Sequence, residues 1–122
     1  MSDNVIISKT FKFSIRIVKL YRYLSENKNE YVLSKQILRS GTSIGANVNE
    51  AVEAQSKKDF TSKMGIALKE ASETLYWLRL LHATDYISKE QFHSVFADAY
   101  EIKKILSSII LSSKEKGERK DE

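Results

Sequence analysis

The residues best suited to chemistry fall into two groups. The first is the stretch Leu38-Arg39-Ser40-Gly41-Thr42-Ser43-Ile44-Gly45-Ala46-Asn47-Val48-Asn49-Glu50-Ala51, which holds two of the chain's four glycines and five Ser, Thr or Asn residues. So dense a set of glycines and hydroxyls could cradle a phosphate. A Walker-type loop needs Gly-x-x-x-x-Gly-Lys-Ser/Thr, because the lysine neutralises phosphate and the hydroxyl holds magnesium. Here Gly41 and Gly45 are four apart, Ala46-Asn47 follows in place of the Lys-Ser/Thr pair, and no strand pattern precedes them. Ile37, Ile44, Val48 and Ala51 instead keep helical spacing straight through the segment. A glycine inside a helix costs up to about 1 kcal/mol relative to alanine, so a helix keeps two only when another backbone comes close, or else the segment is not a helix. The small surface is expected to meet a third helix or a neighbouring subunit. Arg39, Ser43, Asn47 and Glu50 share this helix at steps of four, four and three. With no nucleophile or metal to work with, they read as a structural polar network, buried, that fixes register within a bundle or between subunits.

The second group is basic. Lys9, Lys12, Arg16, Lys19 and Arg22 step by three and four residues along one side of a predicted first helix. Such a stripe is either a solvated helix face or a track for a phosphate backbone, whose affinity comes from counterion release and carries no sequence preference. Of the formal net charge of +4, residues 1–30 carry +3, from six Lys/Arg against three Asp/Glu.

Other candidates fall away. His82 and His93 are eleven apart on different predicted helices, outside the spacing of a zinc or di-iron motif. Ser43 has no Ser-His-Asp context. Tyr76-Trp77 lies within an apolar helical pattern and reads as core or interface. The chain has no cysteine, which excludes disulfides and thiolate metal sites and fits a reducing cytosol. Neither catalysis nor a metal or other cofactor is expected. Met1-Ser2-Asp3-Asn4 is polar, no signal peptide is visible, and no apolar run nears the roughly 18 residues of a membrane span; a cytoplasmic location without a membrane partner is expected.

The elements that must position these residues are helical. The chain has 122 residues, 42% hydrophobic and 30% charged, with no proline, a composition that suits one globular domain of long helices. The first helix is predicted over about 8–25, with Phe13, Ile17, Leu20 and Leu24 on one stripe and Phe11, Ile15 and Val18 on a second. The second spans about 32–54. The third starts at the N-cap Ser56, with Asp59 in capping-box position, and carries Phe60, Met64, Ala67, Ala71, Thr74, Leu78 and Leu81 in 4-3 steps. The fourth opens on a Ser88/Gln91 capping box and presents Phe92, Val95, Ala99, Ile102, Leu106 and Ile109. The fold class is therefore all-α, an up-down-up-down four-helix bundle over residues 1–113. Residues 114–122, all charge plus one glycine, are expected to be a disordered tail.

With the helices placed, the stretch from Leu38 to Ala51, with Ser56-Lys57-Lys58-Asp59-Phe60 and Ile66-Ala67-Leu68-Lys69-Glu70-Ala71, resembles the four helix bundle protein family encoded by intervening sequences of bacterial large-subunit rRNA genes. The resemblance covers residues 8–112. The family's Arg, Ser-Ile, Asn and Glu positions match Arg39, Ser43-Ile44, Asn47 and Glu50. Many members continue Ala-Glu-Gly where this chain has Asn49-Glu50-Ala51. The resemblance implies a bundle that assembles into a ring, a homopentamer. The chain is also similar to the accessory protein of diversity-generating retroelements, a basic pentameric barrel that binds nucleic acid and a reverse transcriptase. The expected function is thus a non-enzymatic oligomeric bundle binding RNA or DNA through its basic surface, the alternative being an adaptor that recruits another protein without nucleic acid.

Overall fold

Four helices follow from local signals that agree with the apolar periodicity. The computed structural model describes residues 3–121 and, for side chains, residues 5–115; Met1, Ser2 and Glu122, which the expected domain and tail include, lie outside the described residues. The helices are α1 (Asp3–Asn27), α2 (Leu33–Val52), α3 (Lys57–Ala83) and α4 (Lys89–Asp121), with no strand among the described residues.

Both anticipated caps form. The Ser56 Oγ accepts from the Asp59 N–H at 3.0 Å. At α4 the box is reciprocal: the Gln91 N–H donates to Ser88 Oγ at 3.1 Å and the Ser88 N–H to Gln91 Oε1 at 2.8 Å. The connections after α1 and α3 turn on Asn29 (φ 53°) and Asp85 (φ 67°), left-handed positions that short polar side chains tolerate. The start of α2 uses a device the sequence did not announce. Glu30, in the polar connection before the helix, is buried, and its carboxylate accepts from the backbone N–H groups of Val32 (3.2 Å), Leu33 (3.0 Å) and Ser34 (2.7 Å). It supplies acceptors that the first turn of a helix otherwise lacks.

Two boundaries differ from expectation. The first helix begins five residues earlier than about Ser8, and Ile6, in an apolar triplet too short to read as an element, is fully buried. The charged segment after Ser113 is helical as far as Asp121 rather than an irregular tail.

The cross-helix pairs fix the topology. Ile17 lies by Gly41 and Thr10 by Gly45, so α1 and α2 run antiparallel. Arg39–Glu70 and Glu50–Lys63 do the same for α2 and α3, and His82–Phe92 with Thr61–Ser113 for α3 and α4. Consecutive helices pack extensively, whereas α1 and α4 touch sparsely. The result is an up-down-up-down bundle with one loosely closed seam. Its core takes Phe13, Ile17 and Leu24 from α1, Ile37, Ile44 and Val48 from α2, Met64, Leu78 and Leu81 from α3, and Leu106 from α4.

The small face of α2 meets α1, not only the expected third helix. A Cβ on Gly41 would stand 2.7 Å from Ile17 Cγ1 and 2.8 Å from its Cγ2, and one on Gly45 would stand 3.4 Å from the Thr10 carbonyl oxygen. Ser40 turns to α3, accepting from the Thr74 hydroxyl at 3.0 Å in a fully buried contact. The glycines thus let α1 settle close to α2, where its Ile17 fills the space a side chain would take.

Two predictions follow from these contacts. Gly41→Ala should lower stability by about 1–3 kcal/mol, because buried Ile17 cannot retreat, whereas Gly65→Ala, with nothing within 4 Å of the added Cβ, should gain up to about 1 kcal/mol; chemical denaturation of the two variants measures the difference in sign. Glu30 supplies the second. Burial alone raises its carboxyl pKa, but the bonds from Leu33, Ser34 and Val32 outweigh burial and hold it below the ordinary 4.5. Its contribution is therefore present above pH 4.5 and lost as pH falls through the lowered folded value. Glu30→Gln should cost on the order of 1 kcal/mol at neutral pH, and the gap to wild type should narrow on acidification in a pH series of denaturation curves.

Candidate nucleic-acid interface

The five basic residues of the stripe lie on α1, but not in one environment. About 100° per residue separates side chains around a helix, and the buried Phe13, Ile17 and Leu24 fix which side faces inward. Lys9 and Arg16, two turns apart, flank that side toward α4. Lys12, Lys19 and Arg22 lie further out and are exposed.

The inner pair is engaged. Lys9 forms an ion pair with Glu101. Arg16 holds Asp98 at 2.6 Å and also donates to Ser94, at 2.7 Å to its hydroxyl and 3.3 Å to its carbonyl. Asp98 and Glu101 are one turn apart on α4, so one acidic edge faces one basic edge across the sparse seam. Between them runs a groove of about 200 Å³ floored by Phe13 and Ile102. Lys12 also lines it. Lys12, Lys19 and Arg22 make no ion pair with any described residue. The sequence spacing located the stripe; it could not reveal Asp98, Glu101 and Ser94, whose approach depends on how α4 packs.

Within the single chain, the polar residues of α2 do not form a buried network. Arg39 is half exposed and reaches α3, bonding Glu70 at 2.9 Å and pairing with Glu73. Ser43 donates to the Arg39 carbonyl at 2.6 Å and Asn47 to the Ser43 carbonyl at 2.8 Å, each back along its own helix. Glu50 is exposed and pairs with Lys63 at 3.4 Å. The reason is geometric. Steps of four, four and three follow one flank of α2, and that flank runs along the exposed edge of the α2–α3 contact, so Arg39 and Glu50 reach charged partners on α3 while Ser43 and Asn47 bond back along their own helix. The buried polar contact between these helices is Ser40–Thr74.

The remaining candidates are placed as packing elements. His82 stacks on Phe92 at 4.6 Å between centroids, and Trp77 meets Tyr76 edge-on at 5.1 Å. The Trp77 indole N–H has no acceptor among the described residues. No group of three or more His, Cys, Asp or Glu that could hold a metal occurs among the described residues, and no described helix is long and apolar enough to cross a membrane.

The family model of the 23S rRNA-intervening sequence protein matches residues 2–108. The chain belongs to this family. Its fold is that of a relative solved by crystallography, a protein of unknown function from the S23 ribosomal protein family of Bacteroides thetaiotaomicron VPI-5482. That protein is 57% identical, with a TM-score of 0.89 over 90% of this chain and 98% of its own. No curated protein matches the chain. Membership of the intervening-sequence family agrees with the resemblance carried by Arg39, Ser43-Ile44, Asn47 and Glu50; Ile44 lies in the core and the four polar residues along one flank of α2.

Proposed function

We propose that this intervening-sequence family protein is a non-catalytic scaffold that assembles head to tail into a ring and carries RNA or DNA on the basic side of α1. The observation behind self-assembly is a set of exposed apolar side chains on opposite sides of the bundle. Phe11 (63% exposed) and Ile15 (43%) lie on the outward face of α1, and Ile66 (41%) and Tyr76 (56%) on that of α3. These two helices pack against α2 and α4 but not against each other, so their outer faces point away from one another. Different apolar side chains on opposed faces favour a heterologous contact, which closes into a ring when the rotation allows. Five subunits is the number the family resemblance implies.

The second part of the proposal rests on Lys12, Lys19 and Arg22. These exposed cations border the exposed apolar side chains of α1, as charged rims border apolar interface centres. A ring repeats them around its circumference, so individually weak phosphate contacts act together. The adaptor alternative uses the same ring with a protein partner and is favoured by pull-downs that nuclease treatment leaves unchanged.

Light scattering of the wild type should give a mass several times that of the chain, and Phe11→Asp/Ile15→Asp should give a folded monomer. RNA binding by fluorescence anisotropy should fall by at least tenfold in Lys12→Glu/Lys19→Glu/Arg22→Glu with the assembly intact. A monomeric wild type would contradict the ring, and undiminished RNA binding by the intact charge-reversed assembly would contradict the interface.

A further inference from the structure

We infer that the α1–α4 groove is a phosphate-binding groove in which Asp98 and Glu101 hold the places of phosphates, acting as built-in competitors for the nucleic acid. The inference rests on the proposed binding of RNA or DNA through α1. Arg16 holds the Asp98 carboxylate at 2.6 Å while a second guanidinium nitrogen takes Ser94 Oγ at 2.7 Å. Such a fork grips a phosphate as readily as a carboxylate. One turn along α4, Glu101 does the same for Lys9. The two carboxylates therefore withdraw two of the five cations of the stripe, leaving Lys12, Lys19 and Arg22.

The arrangement is open rather than locked. The side chains of both pairs are between 37% and 52% exposed, and exposed ion pairs contribute about 0–1 kcal/mol each. The α1–α4 seam is also the least packed of the four, with a groove of about 200 Å³ lying over Phe13 and Ile102. A phosphate backbone entering this groove meets Lys12 on the open side, and displacing the carboxylates exposes Lys9 and Arg16. The competitors thus set the affinity low without removing the site, and they make it sensitive to any change that neutralises α4.

The test is a salt titration of binding to a labelled single-stranded oligouridylate, read by fluorescence anisotropy, for the wild type and for Asp98→Asn/Glu101→Gln. Freeing two cations for two further phosphates should tighten binding and steepen the slope of log K against log salt by about 1.4, from about 0.7 per phosphate on a single strand. Glu53→Gln/Glu90→Gln, which makes the same change in net charge at exposed positions away from the groove, should leave the slope unchanged. Adding Arg16→Gln to the unmasked variant should remove about half of the gain, while in the wild type it should change the slope little. Far-ultraviolet dichroism melts show that each variant is folded. Binding by the unmasked variant where the wild type has none also supports the inference. It is overturned if the wild type binds and Asp98→Asn/Glu101→Gln leaves affinity and slope unchanged, or if the control gains equally; the interface on α1 survives both outcomes. If neither protein binds, the nucleic-acid proposal falls as well.

Discussion

The placement of α1 depends on one contact, Ile17 against the bare backbone of Gly41. With a Cβ at position 41 the two helices could not approach as they do, and the next turn repeats the constraint where Gly45 faces the Thr10 carbonyl. This contact fixes the rotation of α1 about its own axis. Once Ile17, Phe13 and Leu24 point inward, helical geometry leaves no freedom for the rest: Lys9 and Arg16 must flank α4, and Phe11, Ile15, Lys12 and Lys19 must face out. A modest helix-propensity penalty at the glycines is offset by a well-packed interface that orients every side chain of α1.

The electrostatics are secondary to that packing and modulate it. The ion pairs from α1 to α4 and from α2 to α3 are largely exposed, so they tune the surface more than they hold the bundle. Glu30 is the exception. Its carboxylate is buried against three backbone N–H groups at the head of α2, where a charge-assisted bond is strong and removal leaves donors unmet. The stability of the fold therefore comes from the core and the caps, while the pairs on the seam remain free to exchange partners.

The sequence made the frame legible because the frame is local. The apolar steps of α3 and α4 and the boxes at Ser56/Asp59 and Ser88/Gln91 are encoded within a few residues of each other, and they appear where expected. What stayed hidden depends on distant parts of the chain. The spacing of Arg39, Ser43, Asn47 and Glu50 marks one flank of a helix but does not say whether that flank is buried; the rotation of α2 set by its glycines and by Ser40 turns it outward. Likewise the spacing of Lys9 and Arg16 gives a stripe, and only the packing of α4 shows that Glu101 and Asp98 meet it. Glu30 escaped notice because a glutamate two residues before the N-cap lies outside the usual capping pattern. Ile6 did so because three apolar residues show no period on their own.

In the proposed function, nucleic acid binds on the outward side of α1, which the Gly41–Ile17 contact orients. The most direct measurement is the rate of chemical acetylation of each lysine, read by mass spectrometry with and without bound single-stranded RNA. RNA should protect Lys12 and Lys19 while Lys57, Lys58 and Lys69 react at unchanged rates. Protection centred on the α3 lysines, or uniform across the surface, would contradict it.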